Sequence, residues 1–181
     1  MAPDPRLWPD EGAALRPAAA LLLIYPERDE WYVPLTVRAA GLRHHTSQVS
    51  LPGGRLDRPD ESPEQAALRE AEEEIGIPPD DVDVLGRLTP VPIAVSAHLL
   101  HPVVGVARRR PAFSVAAHEV AQLIELPVAT LMEPAAVRSE QRMGPLPPHV
   151  MQTVPYFDVA GVRIWGATAM ILAEFLALLR R

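Results

Sequence analysis

A helix with clear start and end signals lies between residues 62 and 76. Ser62 is a suitable N-cap, and Pro63 fits the first helical position, where its missing N–H costs nothing. Gly76 and the prolines at 78–79 end the helix. Its apolar residues recur at steps of three and four and predict one buried face: Ala67, Leu68, Ala71 and Ile75.

The same helix carries three glutamates, Glu70, Glu73 and Glu74, at offsets that bring them onto one face. Like charges at this spacing repel, and the helix dipole disfavours anions at a C-terminal end. A solvated acidic face is a common alternative, but Glu70 and Glu74 lie beside the apolar stripe. A divalent cation would remove the repulsion, and carboxylate oxygens suit Mg²⁺ or Mn²⁺. The three glutamates therefore predict either an exposed acidic face or a metal site.

Strand-length segments alternate with helices along the rest of the chain. The apolar run Ala18–Tyr25 predicts a buried central strand, and Trp31–Arg38 predicts the second strand of a hairpin. Further strands are expected at 48–51, 83–91, 99–106, 119–126 and twice within 154–164, helices at about 127–132 and 165–180, and a polar loop at 138–148. This mixture predicts an α/β fold with a mixed sheet. Residues 1–17, rich in proline and charge, are expected to form an N-terminal arm, and 18–181 a single domain.

Composition excludes several classes of protein. The chain has no cysteine, and all 17 of its basic residues are arginine, which excludes thiol catalysis, cysteine-zinc sites and Schiff-base lysines. Its net charge of −6 disfavours nonspecific binding of nucleic acid. The first residues lack the order of a signal peptide, and the early apolar run is too short to span a membrane. We expect a cytoplasmic monomer or homodimer whose partner is a small molecule, not nucleic acid or a membrane.

The segment 54–77 resembles the Nudix box, Gly-x5-Glu-x7-Arg-Glu-U-x-Glu-Glu-x-Gly-U, in which U is apolar. Six residues instead of five separate Gly54 from Glu61, and Ala71 is small for an apolar position. The matching residues are Gly54, Glu61, Arg69, Glu70, Ala71, Glu73, Glu74, Gly76 and Ile77.

Resemblance to the Nudix hydrolases implies an α/β/α sandwich around a mixed sheet, and hydrolysis of a nucleoside diphosphate linked to another group. It implies that Glu70, Glu73 and Glu74 bind Mg²⁺ or Mn²⁺, and that Glu70, Glu73 and Arg69 serve catalysis. Arg69 with Glu61 would brace the loop against the helix. The general base stays open between Glu70, Glu119 and another residue.

The stretch 35–54 resembles the additional signature of the coenzyme A diphosphatase branch, Leu-Leu-Thr-x-Arg-Ser-x-x-Leu-Arg-x-His-x-Gly-Gln-Val-x-Phe-Pro-Gly-Gly. That branch also has the longer box. Ser47 and Leu51 depart from the signature, where the branch has glycine and phenylalanine. The shared positions are Leu35, Thr36, Arg38, Leu42, Arg43, His45, Gln48, Val49, Pro52, Gly53 and Gly54.

This second resemblance implies a nucleotide substrate, coenzyme A or an acyl derivative. Arginine binds phosphate in a bidentate way, which makes Arg38 and Arg43 candidates for the ribose 3′-phosphate. Two alternatives remain: a Nudix hydrolase of ADP-ribose, a dinucleotide or a nucleoside triphosphate, and a Nudix-fold binding module without turnover. The retained glutamates count against the binding module. The expected substrate-binding residues are Arg38, Arg43, His45, Gln48, Gly54 and Arg55.

Overall fold

The computed structural model describes residues 15–39, 48–58, 61–144 and 150–180. Within these ranges the helices are α1 (Pro63–Ile75), α2 (Val128–Met132) and α3 (Gly166–Leu179). The strands are β1 (Arg16–Glu27), β2 (Glu30–Arg38), β3 (Val49–Ser50), β4 (Gly53–Arg55), β5 (Asp83–Arg87), β6 (Val91–Ile93), β7 (His98–Val106), β8 (Val120–Pro127), β9 (Val137–Met143), β10 (Met151–Val159) and β11 (Val162–Ile164).

The larger sheet is mixed and is built around β1. Strands β3-β2-β1-β7-β5 follow one another, while β4 pairs with β1, β6 with β7 and β8 with β2. β1 runs parallel to β7 and antiparallel to β2 and β4. The three remaining strands form a second, antiparallel sheet in the order β11-β10-β9.

Side chains of β1 alternate between two cores on the opposite faces of the sheet. Leu21 and Leu23 pack against Ala67 and Ala71 of α1. Leu22, which lies between them, belongs to a second core that contains α2 and α3, with Leu131, Leu172 and Phe175 among its members. The sheet therefore lies between helices on both faces, which confirms the expected α/β/α sandwich.

Most predicted elements are confirmed. α1 spans the expected residues, and its start is fixed by a capping box in which Ser62 and Gln65 exchange side-chain-to-backbone hydrogen bonds. Gly76 adopts the left-handed conformation, with φ of 73°, that ends the helix. No helix in the described part of the chain is long and apolar enough to cross a membrane.

Three predicted boundaries are corrected. β1 begins at Arg16, so residues 16 and 17 belong to the sheet and not to the arm; residues 1–14 lie outside the described ranges. The strand expected at 83–91 is two strands, because Pro90 has no N–H to continue the ladder. The loop expected at 138–148 begins instead as β9, since polar side chains on both faces conceal the strand periodicity. Pairing with β10 along its whole length stabilises β9.

Candidate active site

Two consecutive glycines bring β4 into close contact with its neighbours. A Cβ on Gly53 would lie 2.7 Å from Cα of Ala20 in the paired strand β1, a distance that real Cβ atoms do not reach. A Cβ on Gly54 would overlap the carboxylate of Glu70. The absence of both side chains thus lets the strand before the loop lie directly against β1 on one side and the α1 glutamate on the other.

Arg69 connects the loop after β4 to helix α1. Its Nε donates to Glu61 Oε1 at 2.9 Å, and its Nη2 donates to the Arg55 carbonyl oxygen at 2.9 Å. Glu61 also accepts a hydrogen bond from the backbone N–H of Asp57 at 2.9 Å. Only 6% of the Glu61 side chain is exposed. These contacts form the predicted brace between Glu61 and Arg69.

The same guanidinium also contacts two of the predicted metal ligands. Nη1 of Arg69 donates to Glu70 Oε1 at 2.8 Å and to Glu73 Oε2 at 3.2 Å. The hydrogen bond with Glu61 is the main cause that raises the pKa of Arg69 and, from the other side, lowers the pKa of Glu61. Arg69 therefore stays charged and neutralises part of the acidic cluster.

The three glutamates differ in burial. Glu73 exposes 55% of its side chain and Glu70 exposes 13%, whereas Glu74 is buried, with 8% of the residue exposed. Burial, with the nearby charge of Glu70, raises the pKa of Glu74 to about 8, while Arg38 and the backbone N–H of Gly53 lower it. Burial also raises the pKa of Glu70, against the opposing effect of Arg69.

The chemistry of these ligands fits a divalent cation. Oε2 of Glu74 is buried without a hydrogen-bond partner among the described residues, which leaves an oxygen lone pair directed at no donor. A bound cation would satisfy it, and carboxylate oxygens are the ligands that Mg²⁺ and Mn²⁺ prefer. In the structure, the carboxylates of Glu70 and Glu73 both accept hydrogen bonds from Arg69. Within the described ranges, no three acidic or histidine side chains converge closely enough to hold one ion.

Two residues of the segment before the box are joined through their backbones at the end of β2. The backbone N–H of Arg38, at the end of β2, donates to the Gln48 carbonyl oxygen at 3.3 Å. Arg38 is also among the charges that act on Glu74. Glu119, a candidate general base, lies nearby, because its carbonyl accepts from the N–H of Ala39 at 2.9 Å and its charge also acts on Glu74.

Of the other expected substrate-binding residues, two lie close to the acidic cluster or its brace and two lie outside the described residues. Gly54 lies against Glu70, and Arg55 is exposed with its carbonyl bound to Arg69. Arg43 and His45 lie outside the described residues. The backbone N–H of Gly53 is a partner of Glu74 that sequence reasoning missed, although a glycine pair is a general signal for close backbone approach.

Fold and site together define a protein class. Residues 14–143 match the NUDIX domain family, and the chain therefore belongs to it. An uncharacterized Nudix hydrolase NudL from Cronobacter sakazakii is 45% identical over 111 residues, which cover 61% of this chain and 57% of the relative. A NudL from Pectobacterium atrosepticum is 47% identical over 94 residues, 52% of this chain and 48% of the relative. The chain thus spans about half the length of these relatives.

Solved structures share the fold. A Nudix hydrolase from M. smegmatis, RenU, is 26% identical with a TM-score of 0.56, and the match covers 69% of this chain and 80% of that one. A C. elegans Ap4A hydrolase in a binary complex is 14% identical with a TM-score of 0.62, covering 92% and 98%. At such low identity the second match supports the fold alone.

Proposed function

We propose that the chain hydrolyses the diphosphate bond of a nucleoside diphosphate derivative, and that its substrate is coenzyme A or an acyl-coenzyme A. Water would cleave the P–O–P link and give 3′,5′-ADP and (acyl-)4′-phosphopantetheine. One observation supports the proposal: three residues of the coenzyme A signature reach the acidic cluster, since the backbone N–H of Gly53 and the charge of Arg38 act on Glu74 and Gly54 lies against Glu70. The signature and the Nudix box would therefore contribute to one site.

Each residue of the cluster has a proposed role. Glu70, Glu73 and Glu74 would hold Mg²⁺ or Mn²⁺, which neutralises diphosphate charge and lowers the pKa of an attacking water. Arg69 holds the loop and helix in register through Glu61. Arg38 would contact the diphosphate, since its charge already acts on Glu74. Glu70 and Glu119 both remain candidates for the general base.

The departure from the signature at Leu51 does not argue against coenzyme A as the substrate. Leu51 stands where the branch has phenylalanine, and it is 5% exposed within the core that faces α3. Its side chain belongs to the same core as Leu35 and Val49 instead of facing a ligand. Exchange of one large apolar residue for another at such a buried position is expected to change the packing of this core.

A second substrate class remains the alternative. The NUDIX domain of Shewanella oneidensis NrtR, described in complex with ADP ribose, shares the fold at 21% identity and a TM-score of 0.51. This match shows the fold alone. The choice between coenzyme A and ADP-ribose therefore depends on turnover measurements.

The test is a substrate panel with Mg²⁺ and with Mn²⁺, the products separated by chromatography. Coenzyme A, acetyl-coenzyme A, ADP-ribose, a dinucleotide and a nucleoside triphosphate form the panel. We expect 3′,5′-ADP from the first two at the highest kcat/KM. Equal or better turnover of ADP-ribose would overturn the coenzyme A assignment, and no turnover of any diphosphate would overturn the proposed activity.

A further inference from the structure

Three groups that can carry positive charge meet at one end of the central sheet. Arg16 of β1 is paired with His98 of β7, and Arg55 of β4 is paired with Ala18 of β1. Arg16 and Ala18 are two residues apart on one strand, so their side chains project from the same face. Arg16, Arg55 and His98 therefore lie side by side on the sheet.

Strand alternation assigns this group to the face that α3 covers. In β1, Ala20 and Leu22 belong to the core on the α3 face, and Arg16 has the same parity. In β7, Leu100 packs against that core, which places His98 on the same face. In β4, Gly54 faces Glu70 of α1, so the next residue, Arg55, projects from the opposite face.

No acidic side chain balances this group in the described part of the chain. Neither Arg16 nor Arg55 has a carboxylate partner there, and the Arg16 guanidinium donates to the Ser96 carbonyl at 3.1 Å. The backbone of Ser96 also acts on the His98 imidazole. Among the described residues, the charges that act on His98 are the two arginines. Many of the other described arginines do have a carboxylate within 4 Å: Arg28, Arg69, Arg87, Arg108, Arg110, Arg142 and Arg163.

We propose that Arg16, Arg55 and His98 form a subsite for a phosphate monoester of the substrate, distinct from the diphosphate that is hydrolysed. The two arginines favour an anion and match the geometry of phosphate oxygens, and the His98 imidazole beside them can donate a hydrogen bond. The diphosphate belongs with Glu70, Glu73 and Arg38 on the α1 side. Gly54 and Arg55 are consecutive residues of an edge strand, so a nucleotide that crosses this edge can contact both sides.

This inference rests on the proposed function, because it names the ribose 3′-phosphate of coenzyme A as the group that is bound. It also assigns the 3′-phosphate differently from the sequence-based expectation for Arg38. The charge of Arg38 acts on Glu74, which favours a role for Arg38 at the diphosphate. Selectivity for substrates with an additional monoester phosphate would then come from β1, β4 and β7.

The test compares coenzyme A with dephospho-coenzyme A, which lacks only the 3′-phosphate. Arg16→Met and Arg55→Met should each lower kcat/KM for coenzyme A by about 10- to 100-fold, the range of a charged hydrogen bond. Turnover of dephospho-coenzyme A should change less than about threefold, since it has no such bond to lose. Arg38→Met should lower both equally. Arg109→Met, an exposed arginine without an ion pair among the described residues, is the matched control and should change neither.

A binding measurement separates this inference from the proposed function. By calorimetry, the wild type should bind 3′,5′-ADP at least about tenfold more tightly than 5′-AMP, and Arg16→Met should abolish that preference. Thermal unfolding of each variant establishes that it is folded. Equal losses on both coenzymes, or no loss, would overturn the subsite. If coenzyme A is not hydrolysed, the proposed function fails, and the binding preference alone then supports or overturns the subsite.

Discussion

Replacement of Arg69 by methionine should destabilise the fold by about 2–4 kcal/mol at pH 7. The change removes the guanidinium that pairs with Glu61, whose side chain is 6% exposed. A buried carboxylate that loses its ion pair costs several kcal/mol, but Glu61 keeps the hydrogen bond from Asp57 N–H and Arg69 is 21% exposed, both of which reduce the loss. Since 1 kcal/mol corresponds to about 2–4 °C in a domain of this size, Tm should fall by roughly 4–16 °C.

Urea unfolding of matched variants measures this effect. Arg87→Met is the control, because Arg87 forms a short ion pair with Glu64 but is 50% exposed. Exposed pairs contribute up to about 1 kcal/mol, so this variant should lose far less. Glu61→Gln combined with Arg69→Met should cost less than the sum of the two single changes. If Arg69→Met costs no more than Arg87→Met, the brace does not stabilise the fold.

The pH dependence of the same pair has a defined sign. Arg69 holds the pKa of Glu61 below its ordinary value of 4.5. The pair therefore contributes its full stability above that value and loses it as pH falls through the lowered pKa of the folded state. The stability difference between wild type and Arg69→Met should be constant near pH 7 and shrink below about pH 4.5. A difference that grows in acid would contradict this assignment.

Three further predictions concern the acidic cluster and the glycine pair. Gly53→Ala should lower the free energy of unfolding in urea by about 1–3 kcal/mol or more, because its new methyl group meets backbone atoms. Gly54→Ala should remain folded but weaken Mn²⁺ binding about tenfold, because its methyl group displaces the Glu70 carboxylate. Equal stability losses in the two variants would refute this distinction. Glu73→Gln should lower turnover on the order of 10²-fold without lowering Tm, and near-full turnover would remove this residue from the metal site. Mn²⁺ affinity should rise about tenfold per pH unit up to about pH 8, because metal binding must displace a proton from Glu74, whose pKa is raised to about 8. Binding that does not change with pH would show that metal binding and the protonation of Glu74 are not linked.

Local signals explain why α1 and its brace were predictable. The N-cap, the C-terminal glycine and the apolar stripe all lie within the helix or next to it, so no tertiary information is needed. The spacing of eight residues between Glu61 and Arg69 likewise brings them together once the helix forms. β9 has no such signal, because its stability comes from pairing with β10 and not from an apolar face of its own.

The features that could not be predicted from the sequence depend on how the strands pair in the sheet. Arg16, Arg55 and His98 are separated by about 40 residues at each step along the chain, and only the register of β1 with β4 and β7 brings them together. The burial of Glu74 also depends on tertiary structure. Its position beside the apolar stripe is visible in the sequence, but the contact with Gly53 depends on how β4 approaches the helix.

The contacts of Arg69 also explain why arginine suits this position. One edge of the guanidinium, Nε and Nη2, binds Glu61 and the carbonyl of Arg55, while Nη1 alone binds Glu70 and Glu73. If the two glutamates bound a cation as proposed, Nη1 would lose its partners while Nε and Nη2 would keep the loop attached to the helix. A lysine ammonium is a single point charge and has no planar fork, so it could not divide its contacts in this way. The brace can therefore persist whether the glutamates are bound to Arg69 or to a metal ion.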